Sequence, residues 1–210
     1  MESLRDPWPI GRHAVIWTWL WLAGEVASGA AGLALALFYP PGADPGDADP
    51  STLAGKLLAA MGIATVAGFA LFVVAATLSG IWIYRMTKVK RLLAGAPSMT
   101  AGWAVGWFFI PIANLFKPFD GMREAWQVSS GAEDWPNAPT PALLRVWWAL
   151  WLGWSILQNV IARIENALIE TGWLLALSGA IAIPLGVLWV RIVRHIARTQ
   201  AAQQSAAAFR

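Results

Sequence analysis

Long apolar runs alternate with short polar segments along this chain of 210 residues, and four of the runs are long enough to cross a bilayer. A spanning helix needs about 20 consecutive apolar residues. The pattern predicts such helices over residues 14–38, 53–84, 143–164 and 173–190. Residues 39–52, between the first two runs, are rich in Pro, Gly and Asp, which is typical of a loop. We therefore expect an all-α membrane protein with four transmembrane helices.

A fifth apolar run, at residues 102–110, stops too soon to cross, because Pro111 and Asn114 follow it closely. Irregular backbone survives at membrane depth only where it is buried in protein or lines a cavity. We therefore predict that residues 99–116, called the broken segment here, are either re-entrant or interfacial. Apolar residues then recur at helical spacing and predict an amphipathic helix over residues 118–130.

Lysine and arginine are distributed unevenly along the chain. If the broken segment does not cross the bilayer, 13 of the 15 basic residues fall on one side, with only Lys56 and Arg163 opposite. If it crossed, the two sides would hold 7 and 8. Cytoplasmic loops are enriched in Lys and Arg. The charges therefore favour four spans, both termini in the cytoplasm and an inner loop over residues 85–141. We expect a multi-pass protein of a bacterial inner membrane, with a flexible C-terminal tail at residues 199–210.

The composition indicates which class of protein this is and which partners it would bind. Only 13% of residues are charged, whereas soluble domains contain about 25%. The basic residues lie beside the spans rather than on a soluble face, which argues against nucleic acid as a partner. Arg85, Lys88 and Arg91 recur every three residues and favour the bilayer and its anionic inner-leaflet lipids. A specific anionic ligand is the alternative, and a membrane-protein partner or a second copy of the chain is also open.

The run GWAVGWFFIPIANLFKPFDGMREAW, at residues 102–126, closely resembles the signature of a bacterial membrane family known as domain of unknown function 4328. The matching positions are Gly102, Trp103, Trp107, Pro111, Asn114, Leu115, Pro118, Met122, Arg123, Glu124 and Trp126. The runs LLRVWWALWL and VRIVRHIARTQ also resemble the family, so that the resemblance covers about residues 53–200. One departure is Val89, where the family often has Asn after its second span. The resemblance implies a fold and a location but no activity.

Glu25 is a carboxyl residue near the middle of the first predicted span. An acidic residue at the bilayer centre costs about 2.5–3.5 kcal/mol on insertion scales, so we expect Glu25 to be paired, protonated or turned inward. One hypothesis is structural: Glu25 docks the broken segment through Asn114, or is held by Gln158 and Asn159. The other is functional: Glu25 serves as a proton or cation relay, or anchors a ligand.

The chain contains 15 tryptophans, most of them toward the predicted inner side. One interpretation is an aromatic belt at the cytoplasmic interface. The other is an inner-leaflet cavity that holds a lipid, a quinone or another flat apolar ligand. The candidate surface for a ligand, lipid or partner comprises Trp103, Trp107, Pro111, Lys117, Arg123, Glu124, Trp147 and Trp151.

Small residues repeat every four positions along the first two spans, at Gly24, Ser28, Gly32 and Ala36 and at Ala60, Ala64 and Gly68. Such faces let helices approach closely. The pattern predicts contacts between helices of one chain, with contacts across a dimer as the alternative.

No catalytic or metal-binding constellation stands out in the sequence, and the absence of cysteine excludes disulfides and thiolate sites. We predict no cofactor; a haem held by His13 and His195 is the one alternative left open. The leading hypothesis is a non-enzymatic accessory or scaffold protein that docks a partner protein or lipid through its inner loop. The alternative is a small oligomeric transporter or channel subunit that uses Glu25 and the broken segment. A redox or lipid-modifying enzyme would rest only on the tryptophans and the two histidines.

Overall fold

The computed structural model describes residues 8–38, 49–94, 98–131, 134–164 and 168–208, and these residues form helices and turns without a strand. The α-helices are α1 (Trp8–Phe38), α2 (Leu53–Ala94), α3 (Ala101–Gly106), α4 (Lys117–Ser129), α5 (Ala142–Ile161) and α6 (Leu168–Ala208). Short 3₁₀ turns lie at Trp107–Phe109, Ala113–Leu115 and Trp135–Asn137. Most of the predicted loop at residues 39–52 lies outside the described residues.

Three helices are long and apolar enough to cross a membrane: Trp8–Phe38, Leu53–Arg91 and Gly172–Gln203. They correspond to the first, second and fourth predicted spans. The third predicted span is α5, which has 20 residues but does not reach the same hydropathy. It contains four tryptophans together with Arg145, Gln158 and Asn159, and these polar or amphipathic side chains lower its mean hydropathy.

The long helices extend beyond the predicted spans. Helix α1 begins at Trp8 instead of residue 14, and α2 continues through the basic stretch to Ala94. The tail predicted at residues 199–210 to be flexible is part of α6 as far as Ala208. The segment AAQQSAAA is polar enough to leave a membrane, yet alanine and glutamine are strong helix formers.

The chain divides into two compact units. The first unit comprises Met1–Ile16, Ala75–Trp148 and Leu188–Arg210, and the second comprises Trp17–Val74 and Ala149–Val187. The broken segment and α4 therefore belong to the first unit, whereas Glu25 belongs to the second.

In the first unit, α4 occupies the place of the predicted amphipathic helix and buries one face. Met122, Ala125 and Val128 are buried, whereas Arg123 is exposed. Helix α4 ends at Ser129, and Gly131, two residues later, has a φ of 72°, the left-handed conformation that glycine adopts after a helix. Helix α4 therefore packs within the unit over a wide face.

In the second unit, small residues form the contacts between helices. A Cβ on Gly24 would lie 3.1 Å from the Cα of Gly68, and a Cβ on Gly32 would lie 3.0 Å from the carbonyl oxygen of Gly172. Such distances leave room only for glycine, so that the backbones approach closely. The prediction that these small residues join helices of one chain is confirmed for Gly24, Gly32 and Gly68.

Candidate functional site

The first unit contains a buried ion pair between α2 and α4. The Nζ atom of Lys90 lies 3.2 Å from Oε2 of Glu124, and the side chain of Lys90 is only 1% exposed. The backbone N–H of Ser98 donates a hydrogen bond of 3.0 Å to Oε1 of Glu124, and the Ser98 hydroxyl donates to Oε2. Glu124 therefore ties the end of α2 and the start of the broken segment to α4.

The environment of Glu124 favours its carboxylate form. Burial raises the pKa of the Glu124 carboxyl, but the hydrogen bonds from Ser98 and the charge of Lys90 together outweigh burial, so that the pKa lies below its ordinary value. A carboxylate with a lowered pKa is a weak base. It is poorly suited to activate the Ser98 hydroxyl as a nucleophile, and we interpret the cluster as a structural tie.

Sequence analysis identified Glu124 as part of a surface and did not single out Lys90 or Ser98. A weak signal for Lys90 was present in the sequence. Arg85, Lys88 and Arg91 recur every three residues, whereas Lys90 is out of step with them and lies one turn from the apolar residue Met86. In the structure Lys88 and Arg91 are exposed, whereas Met86 and Lys90 are buried on the other face of α2.

Several large apolar side chains of the broken segment are exposed. Thr100 caps α3, and the indole N–H of Trp148 donates to the carbonyl oxygen of Leu115 at 3.0 Å. Between these anchors, Trp103 is 50%, Phe109 80% and Ile112 75% exposed. The rings of Trp103 and Trp107 stack at 4.5 Å. This apolar surface, from Trp103 to Phe116, is one that a soluble protein would bury or cover.

Basic and polar side chains border this surface. Lys117 lies 6.0 Å from the ring centre of Phe116, and Arg123 on α4 is exposed. Pro111 is exposed within the surface. Asn114 is half-buried, and its side-chain oxygen is buried without a hydrogen-bond partner in the described part of the chain.

Glu25 belongs to a hydrogen-bond network of the second unit. The indole N–H of Trp21 donates to Oε1 at 3.3 Å, and the Ser178 hydroxyl donates to Oε2 at 3.0 Å. The Ser178 hydroxyl in turn accepts from the indole N–H of Trp154 at 3.1 Å. The described partners of Glu25 are therefore Trp21, one helical turn earlier, and Ser178 on α6.

These partners differ from Gln158 and Asn159, which were predicted to hold Glu25, and the docking of the broken segment through Asn114 stays a prediction. The side-chain amide of Asn159 donates to the backbone carbonyl of Ser155 and is exposed, and Gln158 is half-buried. The side chain of Asn159 therefore forms a local bond within α5 instead of reaching a distant carboxylate.

Trp147 and Trp151 of the predicted surface lie in aromatic clusters. Trp147 is buried and stacks on Trp189 at 5.3 Å. Trp151 is half-buried and packs against Trp154 at 5.9 Å. Trp147 therefore contributes to packing, whereas Trp151 keeps part of its surface exposed.

The two histidines differ in environment. His13 is exposed, and the ring of His195 stacks on that of Trp126 at 3.9 Å. Among the described residues, no group of three or more His, Cys, Asp or Glu side chains could hold a metal ion. The stacking contact accounts for His195 as a packing residue of α4 and α6.

Comparison with known proteins places the chain in a family. No curated protein and no solved structure matches it. A family model described as a domain of unknown function matches residues 46–198, a range that contains Lys90, the broken segment and Glu124. Because the match covers most of the chain, the protein belongs to the family of the domain of unknown function DUF4328.

Proposed function

We propose that this protein is a non-enzymatic accessory or scaffold protein of a bacterial inner membrane that docks inner-leaflet lipid through its broken segment. The observation that carries the proposal is the row of exposed apolar side chains between Trp103 and Phe116. The Lys90–Glu124–Ser98 cluster anchors the base of this segment and so holds its shape.

The charges of the two units support a cytoplasmic location for the broken segment. The first unit contains 13 Lys and Arg and 6 Asp and Glu, a net charge of +7, whereas the second contains 2 and 6, a net charge of −4. Because positive residues concentrate on the cytoplasmic side of membrane proteins, we assign the first unit to that side.

The lengths of the helices support four crossings. Helices α1, α2 and α6 each contain a stretch that is long and apolar enough to cross a membrane. A 20-residue helix such as α5 is long enough to cross the hydrocarbon core.

Lipid is the occupant that fits the chemistry of the broken segment. Tryptophan and phenylalanine are favoured where an apolar body meets a wet boundary. Exposed Lys88 and Arg123 lie in the same unit, and each basic residue near an anionic leaflet contributes about 1 kcal/mol of attraction. The segment would therefore lie at the inner boundary of the bilayer, with its apolar side chains among the lipid chains.

Single cysteines test this arrangement, because the native chain contains none. Phe109→Cys and Ile112→Cys would carry a fluorescent label at the two most exposed apolar positions, and Ser130→Cys at the exposed end of α4 is the matched control. We expect bromine on the lipid chains to quench the labels at 109 and 112, and an aqueous quencher to reach only the label at 130. Equal aqueous quenching at all three positions would contradict the proposal.

The same control variant tests orientation. In intact cells, a membrane-impermeant thiol reagent should leave Ser130→Cys unmodified until the membrane is opened. Modification of this cysteine in intact cells would put the loop on the outer side and overturn the cytoplasmic assignment.

Isolation of the intact protein in native nanodiscs identifies what the surface holds. We expect anionic lipid to be enriched over the surrounding membrane, and a Phe109→Ser/Ile112→Ser double variant to lose this enrichment. A stoichiometric protein partner, lost in the double variant while the lipid composition stays unchanged, would replace lipid with a protein as the occupant.

A small transporter or channel subunit is the second candidate, and the position of Glu25 in the apolar helix α1 favours it. In proteoliposomes, Glu25→Gln would then change flux while the unfolding midpoint stays the same. A change in the midpoint alone would assign Glu25 to the structural role.

A further inference from the structure

The hydrogen-bond network around Glu25 has a single direction. Trp154 donates to Ser178, Ser178 donates to Oε2 of Glu25, and Trp21 donates to Oε1. An indole N–H can only donate, and an ionised carboxylate can only accept. Both carboxyl oxygens of Glu25 therefore take part in the network, and both indole N–H groups reach an acceptor.

This carboxylate lacks a basic partner in the described part of its own unit. The second unit contains only Lys56 and Arg163 as cationic residues, and both are exposed. Neither forms an ion pair with Glu25 among the described contacts. A negative charge in an apolar helix is costly unless a cation or a proton accompanies it, so a cation that pairs with Glu25 would come from outside this unit.

Aromatic rings surround the network. The centre of the Trp21 ring lies 5.4 Å from that of Trp154 and 5.9 Å from that of Phe72, and Phe72 lies 5.3 Å from Trp154. Trp151 extends the cluster at 5.9 Å from Trp154. The faces of these rings attract cations, and the same rings offer apolar contact to an organic group.

The cluster can be reached from outside the unit. Glu25, Phe72 and Trp151 are half-buried rather than buried, and Val26 beside Glu25 is 41% exposed. Glu25 and two rings of the cluster thus keep part of their surface open to the surroundings of the unit.

We propose that the second unit binds a hydrophobic organic cation, such as a quaternary ammonium or phosphonium compound, with Glu25 as its counter-ion and the aromatic cluster as its apolar wall. A calcium ion would need six to eight oxygen ligands, whereas the network offers the carboxylate and one hydroxyl. The site consists of residues of the second unit, and the proposal does not depend on the proposed docking of lipid.

Two probes of equal size and opposite charge test the proposal. Tetraphenylphosphonium and tetraphenylborate share a shape and an apolar surface, so their difference isolates the charge. With the full-length protein in neutral detergent, equilibrium dialysis should give saturable phosphonium binding at one site per chain, at least tenfold tighter than borate binding. Glu25→Gln should weaken phosphonium binding at least tenfold and leave borate binding unchanged. Asp120→Asn, which neutralises a carboxyl of α4 in the other unit, should change neither.

The comparison of the two probes on the wild-type protein tests the proposal even if Glu25→Gln does not fold. Equal affinities for the two probes, or no saturable phosphonium binding above that of empty micelles, would overturn the proposal. A folded Glu25→Gln variant that keeps the tenfold preference would also overturn it. Glu25→Asp keeps the charge and should retain the preference, and a folded Glu25→Asp variant without the preference would overturn the role of Glu25 as counter-ion.

Discussion

The buried pair of Lys90 and Glu124 should dominate the stability of the first unit in a way that a double-mutant cycle can measure. Glu124→Gln removes the only carboxylate that the described contacts give Lys90, whose side chain is 1% exposed. Leaving one member of a buried pair without its partner costs about 3–5 kcal/mol. The variant should therefore lose about that much of the free energy of unfolding.

Lys90→Met should cost less. In this variant Glu124 keeps both hydrogen bonds from Ser98, and its side chain is 9% exposed. The free energy of unfolding should therefore fall by about 1–3 kcal/mol. In the double variant neither charge is left unpaired, and replacing a whole buried pair is often nearly neutral. We expect the double variant to be more stable than Glu124→Gln alone.

The assay is reversible unfolding in mixed micelles, followed by tryptophan fluorescence, for the wild type, both single variants and the double variant. Arg123→Gln is the matched control, since Arg123 precedes Glu124 on α4 and is exposed. The free energy of unfolding of Arg123→Gln should differ from that of the wild type by less than about 0.5 kcal/mol. If the two single variants cost less than about 0.5 kcal/mol each, and their effects simply add, the ion pair does not hold α4 in place and the reasoning fails.

Three further outcomes follow from the same structure. Gly172→Ala would put a Cβ 2.5 Å from the carbonyl oxygen of Gly32, so overpacking should lower the free energy of unfolding by about 1–3 kcal/mol. Gly62→Ala meets no atom within 4 Å and should be neutral or stabilising by up to about 1 kcal/mol; equal effects of these two substitutions would refute the close contact. Because the folded pKa of Glu124 lies below the ordinary value of 4.5, its stabilisation is present above pH 4.5 and is lost as the pH falls through the folded pKa. Unfolding midpoints measured between pH 7 and pH 3 should therefore fall more in the wild type than in Glu124→Gln, and parallel curves would contradict this. Trp148→Phe removes the indole N–H that holds the turn before α4 and should cost about 1 kcal/mol, measured by the same unfolding assay; no change would show that this bond is dispensable.

The residues of the candidate surface show which properties the sequence predicts and which it does not. The sequence placed Trp103, Pro111 and Arg123 on one surface, and all three are exposed. It placed Glu124 and Trp147 there too, and both are buried. A hydrophobic pattern cannot separate these cases, because a charged residue beside an apolar run is compatible with a solvated face and with a buried pair. The difference depends on whether a partner of opposite charge is brought within reach.

Sequence alone determined the properties that belong to one stretch of chain: the helices, the interruption near Pro111, the concentration of basic residues and the family. These depend on local propensity, hydrophobic period and residue order, which the chain carries before it folds. Tertiary structure decided which polar groups meet. Ser98 bonds Glu124 across 26 positions, and Ser178 bonds Glu25 across 153. Such pairs form only when helix packing brings distant segments together. Packing depends on the shapes of all the contacting side chains at once, so no local pattern specifies it.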